Sequence, residues 1–175
     1  MVLARRAALG DRRAFAAIVH RHGAAMYRYA VQMLDGNPQD AEDVVQTALI
    51  KAWQALPGFR GEAALRTWLF TITSNEAYSA RRRRHPKAVD DDLLVGRADP
   101  ESDPSERAVE GEIWVALELA LSELPWRQRA SWLLREFEAF SYEDIAAVLD
   151  TSVTVVRGQL HRARASLAVR MAQWR

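Results

Sequence analysis

The chain has 175 residues, 49% hydrophobic and 27% charged, with a formal net charge of +1 and no cysteine. This composition suits a soluble fold with one core or two, and without thiols there is no disulfide framework, thiolate zinc site or cysteine nucleophile. MVLARRAALGDRR is too polar for a signal peptide, and nowhere is there an apolar run long enough to span a bilayer. No membrane insertion and a cytoplasmic location are therefore expected.

Residues 11–34 read as a helix whose apolar face is Phe15, Ile18, Val19, Met26, Tyr27, Ala30, Val31 and Leu34, with Gly23 allowing a bend and Gly36-Asn37-Pro38 ending it. His20 and His22 point to different sides of that helix and make poor metal ligands. From Pro38 to Leu56 a second helix buries Val45, Ala48, Leu49, Ala52, Trp53 and Leu56. Its first turn carries Asp40, Glu42 and Asp43, where a helix N-terminus favours acids. Asp43, Gln46 and Ile50 fall on another side. A loop, Pro57 to Glu62, leads into a helix from Ala63 to Arg84 that packs Leu65, Trp68, Leu69 and Ile72 inward. Thr67, Thr71, Ser74, Tyr78 and Arg81 trace a polar line on it, and it ends in four arginines. Hydrogen-bonding groups, an aromatic and cations in one line suit a nucleic-acid strand, although a charge run also suits a plain solvated helix end.

Residues 86–109 are acidic, carry three prolines and show no period, so they read as a flexible linker between two domains, 1–85 and 110–175. Charge segregates in the same way. Residues 1–84 carry 13 Arg and Lys against 7 acids, and residues 152–175 carry five arginines and no acid, which suggests polyanion contact at two places.

The second half reads as four helices. One runs from Glu110 to Leu124, and one opens at Pro125 and turns Trp132, Leu133 and Phe137 inward. The last two lie in FSYEDIAAVLDTSVTVVRGQLHRAR, Phe140 to Arg164. Ser141 is placed to cap the first of these, with Asp144 reaching back in a short-armed capping box. Ser152 is placed to cap the second, which buries Val153, Val156, Leu160, Ala163 and Leu167. Arg157, His161 and Arg164 lie close to one line on its surface. This is the pattern of a helix-turn-helix, whose second helix enters the major groove; the same text suits a solvated helical hairpin, and the stretch by itself does not choose. The fold class is all-α.

Together the two halves carry a resemblance. DAEDVVQTALIKAW, then FRG, then RTWLFTITSN and an arginine run resemble the second conserved region of the small bacterial extracytoplasmic-function (ECF) sigma factors. LSELPWRQRASWLLREFEAFSYEDIAAVLDTSVTVVRGQLHRARASL resembles their fourth region. The resemblance implies a promoter-specificity subunit of RNA polymerase in a stress or envelope response, with no cofactor and no catalysis of its own. Its partners would be core polymerase, duplex and single-stranded promoter DNA, and in some cases an anti-sigma factor. It assigns Asp40, Glu42, Asp43 and Gln46 to polymerase docking. Phe59, Arg60, Thr67, Trp68, Thr71, Ser74, Asn75, Tyr78, Arg81 and Arg82 go to capture of the −10 strand. Ser152, Thr154, Arg157, Gln159, His161, Arg162 and Arg164 go to the −35 duplex. Gly158 and Gln159 stand where the family commonly has serine and arginine. A helix-turn-helix regulator acting without polymerase is the alternative; a helical enzyme lacks the nucleophile, metal-ligand and phosphate-loop motifs it would need.

Overall fold

The computed structural model describes residues 2–84 and 108–172. Regular structure among them is entirely helical: α1 (Val2–Ala8), α2 (Arg12–Met33), α3 (Pro38–Ala55), a 3-10 turn at Leu56–Gly58, α4 (Leu65–Arg84), α5 (Ala108–Ser122), α6 (Trp126–Glu136), α7 (Tyr142–Val148) and α8 (Val153–Arg170). Of the expected linker, the part up to residue 107 lies outside the described residues, and α5 already begins at Ala108.

Local chemistry explains most of the helix ends. Asp11 caps α2 by accepting from the N–H groups of Arg13 and Ala14, and its other oxygen takes a two-pronged bond from Arg6 at 2.9 and 2.7 Å. The Ala14 N–H bond first, then the bond from Arg6, hold its carboxyl below the usual range. α2 runs unbroken through Gly23. It ends where Asp35 and Gly36 both take positive φ, and the Gly36 N–H bonds back to the Val31 carbonyl at 3.0 Å. Asn37 caps α3, with Pro38 in the first turn as expected.

α3 and α4 pack along each other and α2 lies against both, while α8 packs on α6 and α7. α1 was not expected. It is short and lacks large buried side chains, burying only Ala4 and Ala7 as it lies against α2 and the 3-10 turn. Two further expectations need correction. Phe137 does not point inward: it caps the C-terminus of α6 at 46% exposure, in edge contact with Trp132. The buried face of α4 is Thr67, Leu69, Phe70, Thr73, Ser74 and Ala77, whereas Leu65, Trp68 and Ile72 are only half-buried.

The two halves pack against each other. α7 packs on α4, and α5 and α6 pack on α2. One continuous apolar cluster runs from Met26, Tyr29 and Leu69 through Phe70 and Phe140 to Leu134, Ile145 and Leu160.

Candidate nucleic-acid interface

The corner between α7 and α8 is built by side chains close in sequence. Ser141 accepts the Asp144 N–H at 3.0 Å and donates its hydroxyl to Asp144 Oδ2 at 2.7 Å, so the acid meets the capping hydroxyl where a capping box would use a backbone N–H. α7 ends in a Schellman-like turn: Asp150 sits at φ 47, and the Thr151 N–H reaches the Ala146 carbonyl at 2.9 Å. Ser152 then caps α8 through the Val155 N–H. Val156, Leu160, Ala163 and Leu167 face the core. Ser152, Thr154, Arg157, His161, Arg162 and Arg164 are exposed along the outside.

Gln159 is not among them. It is only 6% exposed, lying between Val156 and Ala163 on the packed side of α8, so in this structure it is a core residue and not a groove contact. Arg164 is also partly committed. It donates to Glu136 Oε1 through Nη2 at 2.7 Å and Nε at 3.3 Å, and this bond raises its pKa. The Arg157 guanidinium stands 5.7 Å from the Tyr142 ring.

The candidate strand contacts of α4 are divided between three environments. Asn75, Tyr78 and Arg82 are exposed, and Thr71 bonds its own Thr67 carbonyl. Ser74 is buried and shares a 2.8 Å bond with the hydroxyl of Tyr29, whose complete burial pushes its pKa well above the ordinary range. That makes Ser74 a core hydrogen bond, out of a strand's reach here. Thr67, 2% exposed, donates to Asp144 Oδ1 at 2.9 Å. In the preceding loop Arg60 is exposed, while Phe59 leans on Trp68 with ring centroids 4.9 Å apart.

On α3, Glu42, Asp43 and Gln46 are exposed and Asp40 is ion-paired with Arg84 from the end of α4. Ile50 joins this face as an exposed apolar side chain that the sequence reading left without a role. Its signal was an isoleucine lying off the buried stripe.

Where the halves meet, charge is prominent. Arg66 donates to Glu138 Oε2 at 2.5 Å and stacks over the Phe140 ring at 4.3 Å, and Arg28 adds a looser ion pair to Glu138 at 3.8 Å. Arg129, 1% exposed, donates to Asp35 Oδ1 at 2.6 Å. Burial lowers its pKa and Asp35 opposes that. Phe70 meets Phe140 edge-on at 5.0 Å, and Tyr78 meets Trp126 at 5.4 Å. The Arg81 guanidinium lies 5.8 Å from the same indole. None of these long-range partners carries a local sequence signal.

Comparison with known proteins matches residues 18–86 to the family Sigma-70 region 2 and residues 114–167 to Sigma-70, region 4. The chain is 37% identical to the RNA polymerase sigma-H factor of Pseudomonas aeruginosa, over 94% of this chain and 90% of that one. It is 34% identical to the ECF RNA polymerase sigma-E factor of Escherichia coli K12, covering 95% and 91%. Among solved structures it superposes on CnrH in complex with the cytosolic domain of CnrY, with a TM-score of 0.75 and 29% identity, covering 98% and 96%. It also superposes on the sigma factor RpoE in complex with the anti-sigma factor NepR from Bartonella quintana, with a TM-score of 0.69 and 27% identity, covering 90% and 96%.

Proposed function

The chain belongs to the ECF group of the sigma-70 family, and from that premise we propose how its surfaces divide the work of a promoter-specificity subunit of RNA polymerase. The observation that carries the reading is that relatedness to sigma factors extends over nearly the whole chain, including both the α3–α4 half and the helix-turn-helix half.

Residues 2–84 act as the polymerase-docking and −10 half. The exposed acids and amide of α3, Glu42, Asp43 and Gln46, form the polymerase face, with Ile50 as its apolar anchor and Asp40 at its edge held by Arg84. Arg60 in the loop and Asn75, Tyr78, Arg81 and Arg82 on α4 hold the displaced strand. An aromatic supplies stacking for a base, and the arginines attract phosphate. Residues 108–172 act as the −35 half, with Thr154, Arg157, His161 and Arg162 entering the major groove; one good bidentate base contact discriminates by ~1–3 kcal/mol. An anti-sigma partner is part of the proposal. A groove lined by Tyr27, Val31, Leu133 and Phe137 straddles both halves, which suits a partner that holds both at once.

Run-off transcription with core polymerase on a promoter library tests this reading. Arg157→Ala should cut promoter-specific product and leave polymerase pull-down intact, whereas Asp43→Ala with Gln46→Ala should weaken the pull-down. A chain that binds duplex operators tightly by itself and gains nothing from polymerase would be the stand-alone regulator.

A further inference from the structure

Two residues on the outer side of α8 have no role in the surfaces described above. Val155 is a large apolar side chain left 40% exposed. Gly158 stands in the second turn of the helix, where a glycine costs ~1 kcal/mol against alanine. The fold does not ask for it. The backbone at Gly158 is not left-handed, and an added Cβ would meet only the Arg162 guanidinium, at an ordinary 3.5 Å.

The helical period puts the two side by side. At about 100° per residue, Thr154, Gly158 and His161 share the middle of the face opposite Val156, Leu160 and Ala163, with Arg157 on one flank and Val155 and Arg162 on the other. Thr154 and Val155 come four and three residues before Gly158, and Arg162 comes four after, so their side chains wall the spot that the missing one leaves open. The result is a shallow hollow with the Arg162 guanidinium at its rim. It lies on the first two turns, the part of a recognition helix that reaches base edges.

Its chemistry selects what can enter. Neither Gly158 nor Val155 offers a side-chain donor or acceptor, so a base that presented an amino group or carbonyl there would lose a hydrogen bond to water and gain none. In the major groove only thymine carries an apolar projection, its 5-methyl group. Resting on the assignment of α8 to the duplex, we infer that Val155 and Gly158 form a thymine-reading hollow, in which the methyl group packs on the Val155 side chain and on the bare backbone of Gly158. This spot reads shape, beside Arg157, His161 and Arg162, whose donors suit phosphates and guanine edges. One methyl group withdrawn from water is worth about fourfold in affinity.

The experiment removes that methyl group alone. Holoenzyme assembled from the full chain and core polymerase selects duplex from a library randomised over the −35 element. Each thymine of the selected element is then replaced by deoxyuridine, one at a time, and competition in fluorescence anisotropy reads the affinities. At one thymine position deoxyuridine should weaken binding about fourfold. Gly158→Ser, which fills the hollow, and Val155→Ser, which removes its apolar wall, should bind the thymine and deoxyuridine duplexes alike. Val155 is exposed, and serine forms helix better than glycine, so neither change threatens the fold. A selected element with no thymine on either strand, a cost under about 1.5-fold at every position, or variants that keep the wild-type ratio would overturn the hollow. Failure of run-off transcription would instead sink the sigma reading. The duplex selected by the chain alone then takes the same substitutions, and the hollow stands or falls on the same ratios.

Discussion

Replacing Asp35 by asparagine strands one of the most buried charges of the molecule. Arg129 is 1% exposed, its Nη1 donates to Asp35, and its Nε meets no acceptor among the described residues. Removing one partner of a buried ion pair typically costs ~3–5 kcal/mol, because the remaining charge stays desolvated. Asp35 is itself 46% exposed, so water already shares its side of the pair and the lower end, ~3 kcal/mol, is the better expectation. The chain has a way around part of that cost. Parting the halves hydrates Arg129 without unfolding either of them, so Asp35→Asn should open the molecule before it melts it. Arg129→Met keeps the volume and removes the charge, and should cost less, under ~1.5 kcal/mol. Adding Arg129→Met to Asp35→Asn should therefore recover much of the loss, with a coupling of ~1–3 kcal/mol between the sites. Small-angle scattering reads the opening against the radius of about 16 Å expected for a closed chain of this length. Urea unfolding reads the remainder. An Asp35→Asn protein with unchanged radius and midpoint, or additive losses in the double variant, would refute the reasoning.

Three smaller predictions rest on single residues. Gly158 lies inside α8, and a Cβ there would meet only the Arg162 guanidinium, at an ordinary 3.5 Å. Gly158→Ala should therefore raise stability by ~1 kcal/mol, or about 2–4 °C in Tm by calorimetry. Ala139 sits at φ 52 between Glu138 and Phe140, so Ala139→Gly should relieve left-handed strain and stabilise by up to ~1 kcal/mol in urea titration. His22 is pushed below the ordinary histidine range first by burial, then by Arg21 and Arg66. The unfolded chain then takes up the proton more readily than the folded one. This contribution to stability is fully present above pH 6.5 and is lost as pH falls through the folded pKa. Urea midpoints measured from pH 8 to 5 should show that decline, and His22→Gln should flatten it.

The two helices and the corner of Phe140 to Arg164 were readable because their determinants are local. Ser141, Ser152 and the three-and-four spacing of Val156, Leu160, Ala163 and Leu167 lie within a few residues of what they control. At Gln159 residue type and position disagree, and position decides: three residues after Val156 and four before Ala163, it lies on the buried face whatever its polarity. Ser74 went wrong for a related reason, since its partner Tyr29 is 45 residues away and no local pattern announces a buried hydroxyl pair. α1 escaped notice because two alanines make a weak apolar stripe. The seam was beyond reach altogether. Arg66 with Glu138, Thr67 with Asp144 and Asp35 with Arg129 are 72, 77 and 94 residues apart, and each member reads in isolation as an ordinary surface polar residue.

Asp144 has a consequence for anyone who would recombine such chains. One of its carboxylate oxygens fixes the cap of α7 and the other holds Thr67 of the opposite half. A position bound in both directions cannot drift alone, because a substitution that suits the cap must also suit α4. Exchanging the second half between relatives is therefore more than cutting at residue 107 and rejoining. The graft has to bring Trp126, Glu138, Phe140 and Asp144 into register with Arg66, Thr67 and Tyr78 of its host. A chimera that ignores the match would keep the outer faces of α3 and α8 and lose the fit between its halves.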